Sequence, residues 1–376
     1  MSRNQRFLIK LNENILPVVF ILTLPLFFLR GKNFSLVLFG DDAEFVNHAL
    51  NRVPPFGFFS SFDSWGLLDP FNGYLAVYLR LITKLILFAG TESFTTHTFW
   101  VMTIYWSLIS GLLASTIKKF SGSLIGWGAG FVLAVMPFSD RVMLAQVNTI
   151  AWPACLLTLI VVGTRQYPTR RWSKITALIL FAGTAASTAT AVVTVIALGL
   201  NVLRYREKRF AFEHLLFAST SFGLLLQVLS FRPRNNPPVP IIPEILKISY
   251  GFAPQNIRIQ ILNPLSTWES IVLYAIPIAL AVCLGLLIWL GINIHRSRVL
   301  TGVQFIVEGI FLVLLLTIAN GWLNSHYLFI PTALLWIGAM LIGSVSIKSD
   351  RPWKMIPVLL LPTLLVLGIS GTYFVI

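Results

Sequence analysis

Two adjacent aspartates, Asp41 and Asp42, stand just past the first apolar segment of a chain that is otherwise greasy and basic. Carboxylates are scarce, 14 Asp plus Glu in 376 residues, so a pair of them followed by the helix-like run AEFVNHALNR is the first place to look for chemistry. A charge near lipid costs about 3 kcal/mol at mid-bilayer on insertion scales, so such groups are usually paired or functional. Two roles suit an aspartate here. As an N-cap it accepts from the free N–H groups of a helix that starts at Ala43. As a general base it takes the proton of an acceptor hydroxyl, or orients that hydroxyl, in a partly dry site. The roles are compatible. Glu44, His48, Asp63 and Asp69 share the same segment, but their spacing matches no strong ligand motif. No resident metal or other cofactor is therefore expected, with a divalent cation on these carboxylates as the alternative.

Cations come next. Arg80 and Lys84 are four residues apart and share a helix face, where like charges repel by a few tenths of a kcal/mol. An anion between them relieves that repulsion. Phosphate suits, because arginine grips it with a planar fork and lysine as a point charge. The plainer reading is that both snorkel to lipid headgroups. Arg232, Arg234 and Arg258 add to the same outward positive field. Near the end, NGWLNSHYLFIP puts Asn320, Asn324, His326 and Tyr327 at the mouth of an apolar segment, and Gln146, Asn148 and Trp152 mark another. These groups either form an interfacial polar and aromatic belt or hydrogen-bond a sugar or pyrophosphate.

The elements that must position these groups are membrane helices. Hydrophobic residues make up 56% and charged residues 11%, against roughly 25% charged in a soluble domain. Apolar runs near the ~20 residues needed to cross a bilayer core recur along the chain. Cys155 and Cys283 both fall inside such runs, so no disulfide or metal framework is implied. The fold class is all-α: a polytopic membrane protein in one domain, 1–376. Spans are expected near 12–30, 98–117, 122–138, 146–164, 210–230, 270–294, 303–319, 327–346 and 355–374. The stretch 175–203 is basic at both ends and is expected to fold as a hairpin of two short helices. The small-residue string Gly183–Thr190 forms its tip. That makes about 11 transmembrane helices.

Basic clusters set the orientation, because cytoplasmic loops hold the excess of Lys and Arg. Arg3, Arg6 and Lys10 place the N-terminus inside. Lys118–Lys119, Arg165 with Arg170, Arg171 and Lys174, Arg204 to Arg209, Arg296 with Arg298, and Lys348 to Lys354 can all be inside only if 71–90 does not cross. That segment is read as a helix along the outer surface, capped by Asp69 and opened by Pro70, with a membrane crossing as the alternative. Segments 31–97 and 231–269 then face the outside together and cap one active site. Prolines 233, 237, 238, 240 and 243 forbid a continuous helix in the second.

This layout resembles the GT-C superfamily of integral-membrane glycosyltransferases, especially those like the aminoarabinose and protein mannosyl transferases, which use a polyprenyl-phosphate-linked sugar at the outer face. Their first outer loop carries a motif of the type Asp-Glu-Ala-x-Tyr followed by a surface helix. Asp41-Asp42-Ala43-Glu44-Phe45 is similar, and the resemblance carries the family's catalytic aspartate onto Asp41. Asp69-Pro70-Phe71-Asn72-Gly73-Tyr74 through Phe88-Ala89-Gly90 is similar in placement to the family's second surface helix. It lacks that helix's lysine, so phosphate binding falls to Arg80 or Lys84. Asn148 stands where many relatives carry a second acidic residue, and His326-Tyr327 where they often have Arg-Tyr. The layout is covered over roughly residues 1–345.

The implied activity is sugar transfer from a polyprenyl-phosphate donor to a glycan, lipid or protein acceptor at the outer face of the inner or plasma membrane. Membrane lipids are the other partners, and no nucleic acid is expected. A surface-glycan polymerase or ligase would use the same arginines. A transporter or flippase, of a lipid-linked or anionic substrate, is the alternative in a different class. It calls for internal repeats and for carboxylates at mid-span, and the sequence reading finds neither.

Overall fold

The structure, a computed structural model, describes residues 9, 11–31, 70–71, 74–75, 77–89, 94–135, 149–204, 211–230, 245, 267–320 and 328–344. The described helices are α1 Ile15–Gly31, α2 Val77–Ala89, α3 Phe94–Ser121, α4 Ser123–Val135, α5 Ala151–Thr164, α6 Arg171–Ala185, α7 Val192–Arg204, α8 Ala211–Ser230, α9 Thr267–Gly291, α10 Arg296–Asn320 and α11 Phe329–Gly343. One strand pair, β1 Pro70–Phe71 and β2 Tyr74–Leu75, breaks the all-helical pattern among the described residues. Helices occupy every expected apolar run except 355–374, which lies outside the described residues. Three of them, α3, α8 and α10, are long and apolar enough to cross a membrane, and the α6–α7 pair, bent by 118°, makes a fourth if counted as one span. The other apolar helices count over 10–17 described residues each, α9 through its Pro277–Gly291 stretch.

Glycine sets the sharpest reversal. Gly122 alone separates α3 from α4, with φ +99° and its N–H on the Lys118 carbonyl at 2.9 Å. That backbone conformation is open to glycine and costly for residues with a Cβ.

The chain divides into two compact units. The first comprises Met1–Val19, Ser110–Asp140 and Asn236–Ile376. Here α10 and α11 run antiparallel with their backbones nearly touching. A Cβ at Gly302 would fall 2.7 Å from the Gly338 carbonyl oxygen, one at Gly338 2.6 Å from that of Gly302, and one at Gly309 2.9 Å from that of Pro331. Small residues let apolar helices approach this closely without a hydrophobic driving force. Ile342 lies against Gly302, Ile306 against Gly338 and Leu334 against Gly309, filling the space beside these contacts. Gly128 of α4 meets Met340 of α11. Asn12 accepts from the Lys118 amine through its carbonyl and from the Trp127 indole through its side chain at 3.0 Å.

The helix seam yields a direct prediction. Gly338→Ala loses on the order of 1–3 kcal/mol of stability, the usual cost of overpacking, because the clashing atom is backbone and cannot rotate away. Gly285→Ala, where an added Cβ meets nothing within 4 Å, loses none. Thermal unfolding of both variants in detergent checks the contrast. Equal melting temperatures would show that the seam accommodates an added methyl group.

The second unit comprises Phe20–Ile109 and Arg141–Asn235. The α5 and α7 helices lie parallel, with Thr158 Oγ1 3.3 Å from Thr194 Oγ1, Cys155 Sγ 3.4 Å from Thr190 Oγ1, and the Asn201 amide donating to the Val162 carbonyl at 3.3 Å. The α6 and α8 helices are also parallel. Lys174 sits over the Phe212 ring at 5.4 Å, and a Cβ on Gly223 would lie 2.4 Å from the Ala182 oxygen. Val162, Phe181, Leu198 and Leu216 form the core among the four. The expected hairpin thus exists as two helices joined across Ala186–Ala191, where Thr188 caps the short 3₁₀ turn. Away from the core, α8 exposes Leu215, Phe222, Leu225, Val228 and Leu229, a face suited to lipid rather than water.

Candidate active-site face

The path of the chain around its first helix follows from contacts inside each unit. In one, Asn12 lies against Lys118 and Leu16 against Gly111. In the other, Phe27 packs edge-on against Trp106 at 5.8 Å, and Phe28 stacks on Trp100 at 5.5 Å. In both sets, later residues of α1 meet earlier residues of α3. The two helices are antiparallel, so α3 begins at the end where α1 finishes. The chain between them therefore leaves α1 and enters α3 at the same end of the helix pair.

Within that segment the sequence expectation needs one correction. Pro70 does not open a helix. Pro70 pairs with Leu75 and Phe71 with Tyr74 in an antiparallel hairpin. The two residues between the strands are Asn72 and Gly73, the pair most favoured in two-residue hairpin loops. The helix proper is α2, Val77–Ala89, 13 residues. At 1.5 Å per residue it is about 20 Å long, short of a bilayer core of ~30 Å.

Tyr78 anchors α2. Its backbone N–H donates to Ser187 Oγ at 2.9 Å and its phenol to the Leu180 carbonyl at 2.8 Å. The ring leaves no room for a side chain at Gly183, where a Cβ would come within 2.5 Å of it. Burial pushes the phenol up to about 12, so it stays a donor throughout the physiological range, even though a contact with Thr184 pulls the other way. Here the small-residue tip of the hairpin has its purpose: it is the seat for Tyr78. The sequence reading assigned the tip but missed Tyr78, whose signal was an aromatic donor two residues ahead of Arg80.

Arg80 follows two residues later, so it lies near the same tip. It is 2% exposed and shares the inner face of α2 with Leu79, Thr83 and Ile86, while Leu85 points out. This burial speaks against snorkelling to headgroups for Arg80. Lys84 is half-buried one turn on. Asp41, Asp42, Asn148, Arg232, Arg234, Arg258, His326 and Tyr327 lie outside the described residues, as do Glu44, His48, Asp63 and Asp69. Among the described residues, no three His, Cys, Asp or Glu side chains come together as a metal site.

The far ends of α6 and α7 carry a different electrostatic character. Arg170, Arg171, Lys174 and Arg204 cluster there with Arg165, about 20 Å from the tip by the length of α6. Arg165 caps α5 in the left-handed region, φ 54°, and its Nε donates to Glu213 Oε1 at 3.2 Å. Glu213 is 1% exposed. Burial, with the Glu213 carboxylate adding to it, pushes the neighbouring Tyr167 phenol well up. This second unit is therefore polar: a basic end stitched by one buried ion pair, and an opposite end where α2 docks. Compared with protein-family models, curated proteins and solved structures, the chain gives no match.

Proposed function

We propose that the chain is an integral-membrane glycosyltransferase of about 11 spans with its N-terminus in the cytoplasm. It moves a sugar from a polyprenyl-phosphate donor to a glycan, lipid or protein acceptor at the outer face. The observation that carries this reading is the return of the chain, between α1 and α3, to the end of α1 that it left. Asp41 and Asp42 belong to that returning segment, as does the short cationic helix anchored by Tyr78. An acidic pair and a buried arginine on one face are what transfer from a lipid phosphate calls for.

In the reaction, an Asp41 oxygen accepts the proton of the acceptor hydroxyl. The freed oxygen attacks the anomeric carbon, and the bond from that carbon to the donor phosphate breaks. The polyprenyl phosphate leaves with the electron pair. Arg80 and Lys84, with Arg232, Arg234 and Arg258, neutralise its growing charge. His326, Tyr327 and Asn148 hydrogen-bond the sugar or the phosphate. No step needs a metal.

Incubating the purified protein with lipid-phosphate sugars tests the reading through donor consumption. Arg80→Ala raises the donor KM by roughly tenfold or more, because a hydrogen bond to a charged group is worth about 1.5–3 kcal/mol. Arg80→Lys raises it less, since it keeps the charge and loses the fork. No consumption of any lipid-phosphate sugar would end the proposal, and KM values unchanged from the wild type in both variants would remove Arg80 from the site.

Orientation has its own test. Leu85 and Lys119 are exposed, and both native cysteines are buried. Cysteines introduced at 85 and 119 are labelled by an impermeant thiol reagent from opposite sides of sealed vesicles. Labelling of both from one side would sink the outer-face assignment of α2.

A transporter is the second reading, and two observations favour it. The α6–α7 pair bends by 118° within what would be one span, and broken helices line transport sites. Glu308 lies at the middle of α10, which corrects the expectation that the spans carry no mid-span carboxylate. Flux of a lipid-linked or anionic substrate into proteoliposomes without its chemical conversion is the outcome that would favour this reading.

A further inference from the structure

We propose that Glu308 is a proton-binding site within the α9–α11 bundle, independent of the transferase reading. Position comes first. Twelve residues separate Glu308 from Arg296 at one end of α10 and twelve separate it from Asn320 at the other. The helix is long and apolar enough to cross a membrane. Glu308 is 7% exposed, so the carboxyl faces protein rather than lipid.

Its partners come next. Gln304, one turn earlier, donates its amide N–H to Glu308 Oε1 at 2.7 Å. Oε2 is buried and has no hydrogen-bond partner among the described residues. On α11, Gly302 meets Gly338 and Gly309 meets Pro331. In that antiparallel register Thr332 stands at the level of Glu308. Thr332 is fully buried and its hydroxyl also lacks a partner among the described residues.

The charges around the site decide its occupant. Neither α11 nor α4 carries a charged or titratable residue. Cys283 is the titratable group among the described side chains of α9, whose sequence also holds Glu269 and Tyr274 near its start. On α10 the nearest cation is Arg298, ten residues and about 15 Å away along the helix. A buried carboxylate without a positive partner costs many kcal/mol and neutralises instead. Among the described residues no cation stands near enough to pair with it, and we assign the positive charge to a bound ion. A hard metal ion takes roughly six oxygens, whereas the described residues offer the two carboxyl oxygens and one hydroxyl at this level. A proton needs one oxygen, and Oε2 is the one that Gln304 leaves open.

The test compares the full-length protein with Glu308→Gln in lipid nanodiscs at neutral pH. The infrared spectrum of the wild type shows the carbonyl stretch of a buried carboxylic acid. The band moves to lower frequency in D2O and is lost in E308Q. Independently of any variant, dicyclohexylcarbodiimide adds to residue 308 of the wild type, located by peptide mass, and the adduct fades as pH rises. That chemistry requires the protonated acid, which gives its proton to a carbodiimide nitrogen while its oxygen joins the central carbon. If E308Q fails to fold, the adduct decides alone. An ionised carboxylate in the spectrum, no adduct at 308, or an adduct abolished by Na+ or K+ at constant pH would overturn the proposal, the last in favour of a metal ion.

Discussion

Asp41→Asn leaves the protein expressed and folded and lowers sugar transfer by on the order of a hundredfold or more, the usual contribution of general-base catalysis. The substitution separates the two roles of this residue. Asparagine caps a helix about as well as aspartate, so a helix starting at Ala43 is retained. It carries no charge and accepts no proton, so a base is lost. The fall appears in kcat, because deprotonation of the acceptor belongs to the transition state rather than to donor binding. Asp42→Asn is made in parallel and costs less. Asp41 is favoured by its place in the Asp-Asp-Ala-Glu-Phe motif. Full turnover in the double asparagine variant, measured as donor consumed per unit of folded protein, would remove the catalytic reading of the pair.

Arg165→Met destabilises the fold by about 3 kcal/mol, the low end of the range for breaking a buried ion pair from one side, because the Arg165 side chain is 28% exposed while that of Glu213 is 1% exposed. The loss comes from what remains behind. Glu213 is 1% exposed, and Arg165 supplies the donor to its Oε1. Without the guanidinium, a carboxylate stays buried with no ion-pair partner among the described residues. Replacing both partners, Arg165→Met with Glu213→Leu, recovers most of the loss, because two apolar groups of similar volume leave no orphaned charge. Thermal unfolding in detergent reads the effect, and the double variant identifies its origin. If the single and double variants melt together, the pair contributes packing and not electrostatics. Turnover per folded molecule is unchanged in the double variant, because the pair sits about 20 Å along α6 from the end where α2 docks.

The helices were legible before any tertiary information. Length and apolarity are local properties, and a run near 20 apolar residues has one inexpensive conformation in lipid, where every backbone group must pair within its own segment. Helices accordingly stand at α1, α3 to α5 and α8 to α11, and the break between α6 and α7 falls inside the small-residue string Gly183–Thr190. The segregation of Arg165, Arg170, Arg171, Lys174 and Arg204 to one end of their unit was legible for a related reason. Each cation avoids the bilayer independently of its neighbours.

Other features depend on which residues meet, and no local pattern encodes that. Pro70 stands in a strand and not at a helix start because Pro70 and Phe71 pair with Leu75 and Tyr74. Tyr78 reaches Ser187 across 109 positions of sequence and Arg165 reaches Glu213 across 48. Whether Arg80 snorkels or turns inward was undecidable from spacing, since the i, i+4 pattern is the same either way. Burial of α2 against the hairpin tip decides it. Glu308 was visible as a letter but not as a mid-span carboxylate. Its place depends on where α10 begins, and its burial depends on the glycine-to-glycine register with α11. The sequence by itself determined the apolar helices and the placing of Arg165, Arg170, Arg171, Lys174 and Arg204 at helix ends, because hydration is a property of single segments. The tertiary structure alone decided which polar groups are buried together, because that depends on pairings between segments far apart in the chain.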